Sequence, residues 1–368
     1  MPGAERTVNC FANVVGHTGY ALHARRFSAA LDRLIPVCLA PKYGPLSDEL
    51  LAGPWGTMLA RLETIDLQAP TINLDYPEEM YRFGGHPRIG YTVFETDRVS
   101  AAGIHQLAQL DQVWVPTTWG RSVLLQHGLD AARVHVVPEG VDPTIFRPGL
   151  EPLPELATLE GFRFLAVGKW EARKGMVELL RAFDRAFPPD NPVWLLCHFT
   201  SHVAALQRIN VAAEIDRLAL RNRRHIVLIQ SPLHTDTEMA RLYNSAHAFV
   251  SASKAEGWGL PICEAMACGL PVIAPFYSGP TAYLTATNSY PLAVDALEDA
   301  YCPTFFPQRG THGRWAVIDP DRLAALLRHV ATHPTEARAR GAAAAHDMHT
   351  RWTWDHAAQI ARGRITPT

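Results

Sequence analysis

Two carboxylates in the second half of the chain have the spacing and surroundings of a ligand site. Glu256 and Glu264 are separated by seven residues in the run Glu-Gly-Trp-Gly-Leu-Pro-Ile-Cys-Glu. The preceding residues are typical of a buried strand, Gly257 and Gly259 permit a tight turn, and Pro261 suits the first turn of a helix. A helix that begins at the carboxyl end of a parallel strand directs N–H groups outward, which favours a phosphate. Glu264, one turn inside, offers a bidentate acceptor for a vicinal diol such as a ribose.

A group of basic residues follows a predicted strand in the middle of the chain. The run Gly-Lys-Trp-Glu-Ala-Arg-Lys-Gly places Lys169, Arg173 and Lys174 between this strand and a predicted helix over 177–187. Cations at a helix N-terminus lie against the helix dipole, so they gain little there unless an anion joins them. The pattern indicates an anion site, and a solvated basic turn is the alternative interpretation.

The carboxylate segment closely resembles the signature of the family 4 retaining glycosyltransferases of the GT-B fold. The resemblance extends through Ala-Met-Ala-Cys-Gly-Leu-Pro-Val-Ile-Ala after the second glutamate. It implies that Glu264 holds the ribose of a nucleotide-sugar donor, such as a UDP-, GDP- or ADP-sugar. Glu256 would lie near the transferred sugar or its phosphate, and the alternative is that both carboxylates form an exposed rim. The donor-binding loop would also include Gly257, Trp258, Gly259 and Leu260.

The same resemblance implies a role for the basic run. In the family, a Gly-Arg-(four residues)-Lys-Gly segment grips the donor diphosphate with two cations. Here Lys169 stands where the family often carries Arg, so that a bidentate fork becomes a point charge, and Arg173 would compensate as an extra cation. Lys169 and Lys174 would stabilise the charge on the departing diphosphate and so replace a metal ion. A retaining transfer on one face of the sugar then needs no protein nucleophile, unlike a retaining hydrolase.

Three further loops match ligand-binding loops of the family. Gly16 and Gly19 follow the first strand, where the family approaches the donor phosphate and the acceptor, and a plain strand–helix turn is the alternative. Ser278 and Gly279 would offer backbone amides to the sugar phosphate. Glu95 ends a strand at the position where many relatives have a histidine near the transferred sugar. It is a candidate catalytic residue or sugar contact, and a structural carboxylate is the alternative.

The order of the predicted elements indicates an α/β protein with two similar halves. Short apolar strands alternate with helical segments, which is typical of parallel sheets covered on both faces. With the resemblance, this predicts the GT-B architecture, in which two Rossmann-like domains face a central cleft. We predict an acceptor-side domain over 1–150, a donor domain over 151–348 and a last helix over 349–368 that crosses back to the first domain. An insertion over 288–315 indicates a functional or partner-facing loop.

The composition of the chain limits the classes of binding partner and the cellular compartment that we expect for the protein. The 368 residues are 48% hydrophobic, which suffices for sizeable cores, and the net charge of −2 gives no overall attraction to nucleic acid. Six cysteines without a Cys-x-x-Cys pair are typical of a reduced, cytoplasmic protein. No apolar run has the length of a transmembrane helix, and the start lacks the features of a signal peptide. Peripheral contact with the inner face of a membrane stays open, through Arg25, Arg26 and Arg33 on the first helix, although a solvated charged face is the favoured interpretation.

Metal binding is not favoured by the sequence, although there are 17 histidines. His198 and His202 are four positions apart, yet they straddle a strand end, and no His-Glu-x-x-His motif is present. We therefore predict no metal and no cofactor apart from the donor substrate.

The sequence thus predicts a metal-independent, retaining glycosyltransferase. It would transfer a hexosyl unit from a nucleotide-diphosphate sugar to a hydroxyl of a glycan, a lipid-linked sugar or a small molecule, as in polysaccharide biosynthesis. Two other classes stay open. One is a GT-B epimerase or phosphorylase-like enzyme, and the other is a nucleotide-sugar-binding module without turnover.

Overall fold

The chain forms two compact units in a computed structural model. The structure describes residues 7–44, 46, 51, 53, 55–81, 84–199, 206, 208–230, 233 and 235–365. One unit comprises Met1–Gly140 with Trp352–Thr368, and the other comprises Val141–Arg351. The chain therefore passes into the second unit after Gly140 and returns after Arg351, whereas the sequence alone predicted these two changes at residues 150 and 348.

The first unit is built on a six-stranded parallel sheet. Its strands are β1 (Val8–Ala12), β2 (Val37–Pro41), β3 (Thr71–Leu74), β4 (Arg88–Tyr91), β5 (Gln112–Val115) and β6 (Val134–Val136). They lie in the order β2-β1-β3-β4-β5-β6, and every neighbouring pair is parallel. The central strands are buried almost throughout, because helices cover a parallel sheet on both faces.

The helices of the first unit connect these strands and include the end of the chain. They are α1 (Gly19–Asp32), α2 (Gly56–Ala60), α3 (Ala101–Ala108), α4 (Thr118–Gln126) and the C-terminal helix Trp354–Ile365. Thr18 caps α1, since its Oγ1 accepts a hydrogen bond from the Ala21 amide at 3.3 Å. The C-terminal helix is held to the unit by a hydrogen bond from Arg33 to Asp355 and by one from Gln112 to the Arg364 carbonyl.

The second unit repeats this architecture with a sheet of its own. Its strands are β7 (Phe162–Gly168), β8 (Val193–Phe199), β9 (Ile226–Leu228), β10 (Ala248–Val250), β11 (Val272–Pro275) and β12 (Tyr290–Leu292). Their order is β12-β11-β10-β7-β8-β9, and all neighbouring pairs are parallel. The predicted α/β class with two similar halves is confirmed.

The helices of the second unit pack on this sheet or on one another. They are α5 (Pro154–Ala157), α6 (Met176–Ala186), α7 (Val211–Arg217), α8 (Asp236–Asn244), α9 (Leu260–Ala267), α10 (Pro320–Thr332) and α11 (Pro334–Arg351). Leu180 and Phe183 of α6 and Leu327 of α10 belong to the fully buried core, together with Leu195 of β8. The sheet edge that carries the loops after β7 and β10 is therefore held by a rigid scaffold.

The predicted insertion over 288–315 has two parts in the structure. Its start, β12, is a strand of the central sheet and not an insertion. The rest contains an antiparallel hairpin of β13 (Leu297–Asp299) and β14 (Arg314–Ala316). The buried Trp315 anchors this hairpin in a small apolar cluster with Ala255.

Two surface predictions can be compared with the fold. The described helices include none with the combined length and apolar character that a bilayer crossing needs. The proposed lipid-facing side of α1 is wrong for Arg25, which is buried and donates from Nη1 to the carbonyls of Val14 and Gly16, both at 2.7 Å. Both carbonyls belong to the loop after β1, so this arginine braces the loop from inside the unit.

Candidate functional site

Five charged side chains meet at the carboxyl ends of β7 and β10 in the second unit. Four of them follow β7 within a stretch of six residues, and the fifth follows β10. Since β7 and β10 are neighbouring parallel strands, the loops after them emerge at the same edge of the sheet. We call this group the charge cluster, and its members are Lys169, Glu171, Arg173, Lys174 and Glu256.

Acids and bases alternate through the charge cluster. Lys169 Nζ lies 3.5 Å from Glu171 Oε2, and Arg173 Nη2 donates to Glu171 Oε1 at 2.8 Å. Arg173 Nη1 also donates to Glu256 Oε2 at 3.2 Å, and Lys174 Nζ donates to Glu256 Oε1 at 2.5 Å. Three cations and two carboxylates give the cluster a net charge of +1. The cluster therefore favours an additional anion.

Burial and charge set the protonation of the two carboxylates. Burial by itself raises the pKa of Glu256, but Lys174 and Arg173 outweigh this effect and lower the pKa to about 2. Burial also acts to raise the pKa of Glu171, and the charges of Arg173, Lys169 and Lys174 lower it overall. Both groups are thus carboxylates at neutral pH. Burial lowers the pKa of Lys174, and the neighbouring charge of Glu256 opposes this effect.

The three cationic side chains of the charge cluster differ in their exposure to solvent. The Lys169 side chain is 36% exposed, whereas those of Lys174 and Arg173 are 11% and 7% exposed. Arg173, which we predicted as a donor ligand, directs its guanidinium to Glu171, to Glu256 and to the Ala255 carbonyl at 2.7 Å. In this structure Arg173 orients protein groups, and a contact with a donor stays a prediction.

The turn after Glu256 depends on one glycine with a positive φ. Gly259 has φ of 101° and precedes α9, a conformation that favours glycine. A Cβ at this position would lie 2.9 Å from Tyr283 Oη. That hydroxyl donates to the Trp258 carbonyl at 2.7 Å, and the Trp258 ring is buried beside it. Trp258 therefore supports the loop from the core. Gly257 and Leu260, the other predicted loop residues, lie within the same buried turn.

The loop after β11 is fastened to the same turn. Ser278 Oγ accepts a hydrogen bond from the Glu256 amide at 2.9 Å, and the Gly279 amide donates to the Glu256 carbonyl at 2.8 Å. A Cβ on Gly279 would meet the Gly257 carbonyl oxygen at 2.3 Å, so the close approach requires glycine. We predicted that this loop offers its amides to a phosphate, but in this structure the Gly279 amide is engaged by the protein.

Glu264 lies on α9, the helix that follows the turn after Glu256. It is 5% exposed, and Tyr243 of α8 donates from its hydroxyl to Glu264 Oε2 at 2.9 Å. This buried hydrogen bond fixes the orientation of the carboxylate, as a preformed diol acceptor requires. No sequence motif singles out Tyr243. Glu171 was also missed, although an acid inside a basic run is a signal for an internal ion pair.

The remaining predicted residues belong to the first unit. Gly16 has φ of 82°, and a Cβ added at Gly16 or Gly19 would meet no atom of the described residues within 4 Å, so the loop is open there. Glu95 is half-buried after β4, and its charge contributes, after burial and Tyr76, to the raised pKa of Tyr20. The structure thus brings Lys169, Lys174 and Glu256 together, and it leaves Gly16, Gly19 and Glu95 in the other unit.

A cavity of about 310 Å³ opens at the same sheet edge as the charge cluster, on the far side of β7 from β10. Its lining includes Cys197 and Phe199 at the end of β8, Leu228 at the end of β9, and Asn210 before α7. Its walls combine apolar side chains such as those of Phe199 and Leu228 with polar groups such as those of Asn210 and Gln230. In the described ranges no three His, Cys, Asp or Glu side chains are grouped to hold a metal ion, and His202 lies outside those ranges.

The chain has the GT-B fold, and the solved structures that match it include glycosyltransferases of that fold. A glycosyltransferase from Rickettsia africae matches with a TM-score of 0.72 at 13% identity, over 98% of both chains. HepE from Anabaena, solved in complex with UDP-glucose, matches with a TM-score of 0.71 at 14% identity, over 98% of this chain and 99% of that one.

The chain belongs to the glycosyltransferase family 4. A family model described as "Family 4 Glycosyltransferase in conflict systems" matches residues 124–360. The D-inositol 3-phosphate glycosyltransferase of Segniliparus rotundus is 26% identical over 271 residues, which are 70% of this chain and 52% of the relative. That of Mycobacterium avium is 29% identical over 239 residues, 64% of this chain and 50% of the relative. The chain spans about half the length of these curated relatives. The predicted resemblance to family 4 and to GT-B is confirmed.

Proposed function

We propose that the protein is a retaining glycosyltransferase that moves a hexosyl unit from a nucleotide-diphosphate sugar to an acceptor hydroxyl. The observation that carries this proposal is the charge cluster, whose net positive charge lies at a sheet edge suited to phosphates. Family membership supports the class of reaction. HepE, a protein of the same fold, was solved with UDP-glucose, and we therefore infer UDP-sugars as the first donors to test.

The cations supply the electrostatic part of the reaction. As the bond between the sugar C1 and the diphosphate oxygen breaks, negative charge grows on the diphosphate, and Lys169 and Lys174 stabilise it. The acceptor oxygen forms the new bond to C1 on the same face, and its proton passes to the departing diphosphate. This course conserves atoms and charge without a protein nucleophile.

Glu256 serves as a permanent negative charge in this proposal. Because Lys174 and Arg173 outweigh the effect of burial and hold its pKa near 2, Glu256 stays ionised at neutral pH and is a poor proton acceptor there. A fixed carboxylate accepts hydrogen bonds from sugar hydroxyls and holds Lys174 in place. We therefore assign Glu256 to orientation of the sugar and the lysine.

Glu264 and the cavity beyond β7 account for the nucleoside. The buried Glu264, held by Tyr243, accepts hydrogen bonds from the two ribose hydroxyls. The cavity offers the apolar side chains of Phe199 and Leu228 to the face of a nucleobase and the polar groups of Asn210 and Gln230 to its edge, and its volume of about 310 Å³ exceeds that of one base. These two features support a nucleotide-linked donor over a free sugar phosphate, and so disfavour a phosphorylase-like reaction.

Three tyrosines in the first unit support a carbohydrate acceptor. Tyr43, Tyr76 and Tyr81 are 41%, 52% and 54% exposed at the carboxyl edge of the sheet. The buried Lys42 side chain lies beneath them, and its Nζ is 2.5 Å from Asp75 Oδ2. The same Nζ lies 5.7 Å from the centre of the Tyr43 ring and 5.4 Å from that of the Tyr81 ring. Exposed aromatic rings over fixed polar groups suit the apolar face and the hydroxyls of a sugar. A glycan, a lipid-linked sugar or a small polyol fits this chemistry.

A transfer assay with purified protein tests the proposal. UDP-, GDP- and ADP-sugars are incubated with mono- and disaccharide acceptors in EDTA, and NMR follows the anomeric configuration of donor and product. We expect acceptor-dependent release of nucleoside diphosphate, a new glycoside of unchanged anomeric configuration, and full activity in EDTA, since the cations replace a metal. Inverted product, activity restored only by Mg²⁺ or Mn²⁺, or donor binding without turnover would each contradict a part of the proposal.

A further inference from the structure

The hairpin of β13 and β14 is attached to the residues that lead into Glu256. The Ala316 amide donates to the Lys254 carbonyl at 2.9 Å, and Trp315 packs against Ala255. Trp315 is 1% exposed, so this attachment is buried. We call residues 297–316 the hairpin segment. The hairpin segment is therefore fixed to the loop that carries Glu256.

The loop of the hairpin segment displays one aromatic ring at a defined place. Cys302 and Phe306 exchange both backbone hydrogen bonds, at 3.0 Å and 2.8 Å, and the Phe306 ring packs on Trp315 with centres 5.2 Å apart. The three residues between Cys302 and Phe306 consequently form a tight turn on an anchored base. Phe305, the last of them, is 38% exposed.

The ring of Phe305 faces the most open cation of the charge cluster. Lys169 Nζ lies 5.5 Å from the centre of this ring and 3.5 Å from Glu171 Oε2. A cation near an aromatic face is attracted to it. Unlike a carboxylate, the ring has no net charge, so it holds the ammonium without cancelling its attraction for a phosphate. Without the ring, the four side-chain torsions of Lys169 would become ordered only when the ligand binds, and this ordering would reduce the affinity.

We propose that Phe305 is a positioning residue for Lys169, which it holds in place to meet the donor diphosphate. The hairpin segment is then a part of the donor site, and it gives this chain a means to order a lysine where a bidentate arginine is absent. The inference rests on the proposed function, because it requires a phosphate ligand at Lys169. The proposal places Lys169 at the terminal phosphate of the donor diphosphate. Because Phe305 acts through Lys169, its effect must then depend on the number of phosphates in the ligand.

Calorimetry with paired nucleotides tests this inference. The affinities of the wild-type protein for UDP, GDP and ADP are measured first. The diphosphate that binds most tightly and the corresponding monophosphate are then titrated separately into wild type, Phe305→Leu, Phe305→Tyr and Lys169→Ala. We expect Phe305→Leu to weaken the diphosphate roughly two- to fivefold, as for a half-exposed cation–π pair, and to leave the monophosphate unchanged. Phe305→Tyr, which keeps the aromatic face, should bind as wild type does.

A double-mutant cycle shows whether the effect passes through Lys169. In a Lys169→Ala background, Phe305→Leu should cause no further loss, because the partner of the ring is already absent. An equal loss for monophosphate and diphosphate, or an additive loss in the double variant, would overturn the inference and leave the donor site intact. A wild-type protein that binds none of the three diphosphates would instead refute the proposed function and, with it, this inference.

Discussion

Replacement of Lys174 tests the electrostatic account of catalysis most directly. Lys174 Nζ lies 2.5 Å from Glu256 Oε1, and its side chain is 11% exposed. In Lys174→Ala the charge cluster keeps two cations and two carboxylates, so its net charge falls from +1 to zero. The remaining cluster no longer favours the negative charge that grows on the leaving diphosphate.

The expected size of the effect follows from this loss of charge. A unit charge 4 Å from the developing charge contributes about 4 kcal/mol at an effective dielectric constant near 20. Glu256 compensates a part of the lysine charge, so we expect a loss of about 3 kcal/mol, which is similar to the loss of one oxyanion donor. This corresponds to a fall in kcat of roughly 100-fold. The donor KM should change less.

Steady-state kinetics of nucleoside diphosphate release measure both constants. Lys174→Arg is the matched control, because it keeps a cation and should retain far more activity than Lys174→Ala. Thermal unfolding of each variant identifies a loss that comes from the fold. A Lys174→Ala enzyme with normal kcat and only a raised KM would show that the lysine binds substrate and transition state equally, and the electrostatic account would then be wrong.

Three further predictions concern the ribose, the cluster and the acceptor. Glu264→Ala should weaken nucleoside diphosphate binding by about 1.5–3 kcal/mol and Tyr243→Phe by about 1 kcal/mol in calorimetry, and equal affinity in all three proteins would remove Glu264 from the ribose. Because cations lower the pKa of Glu256 from 4.5 to about 2, its contribution to stability is complete above pH 4.5 and is lost as pH falls toward 2. The free energies of unfolding of wild type and Glu256→Gln, measured with urea, should therefore converge as pH falls over this range. A difference that stays constant with pH would contradict the ion pairing. Tyr81→Ala should raise the KM of a saccharide acceptor several-fold without changing donor affinity, and the reverse pattern would exclude an acceptor role.

The fold was largely predictable from the sequence because its determinants are local. The buried strands are short and mostly apolar, and many helix starts carry their own cap or glycine, as at Thr18 and Gly259. Alternation of such elements leaves parallel sheets as the solution that covers both faces of every strand. The carboxylate motif could be predicted from the sequence for the same reason, because Glu256, the turn and Glu264 lie within one strand–turn–helix unit.

The pairing of the site residues was decided by the tertiary structure. Lys174 and Glu256 are 82 positions apart, and only the adjacency of β7 and β10 brings them within 2.5 Å. The ring of Phe305 comes from a third, still more distant segment.

The tertiary structure also decided which charged side chains are buried. The sequence places Arg25 on a charged helix face, yet Arg25 lies inside the first unit, where its guanidinium donates to the carbonyls of Val14 and Gly16 after β1. The sequence by itself thus determined which elements form and which residue types are available at their ends. The order of strands in each sheet, which depends on contacts between distant segments, decided which of those residues meet and which are withdrawn from solvent.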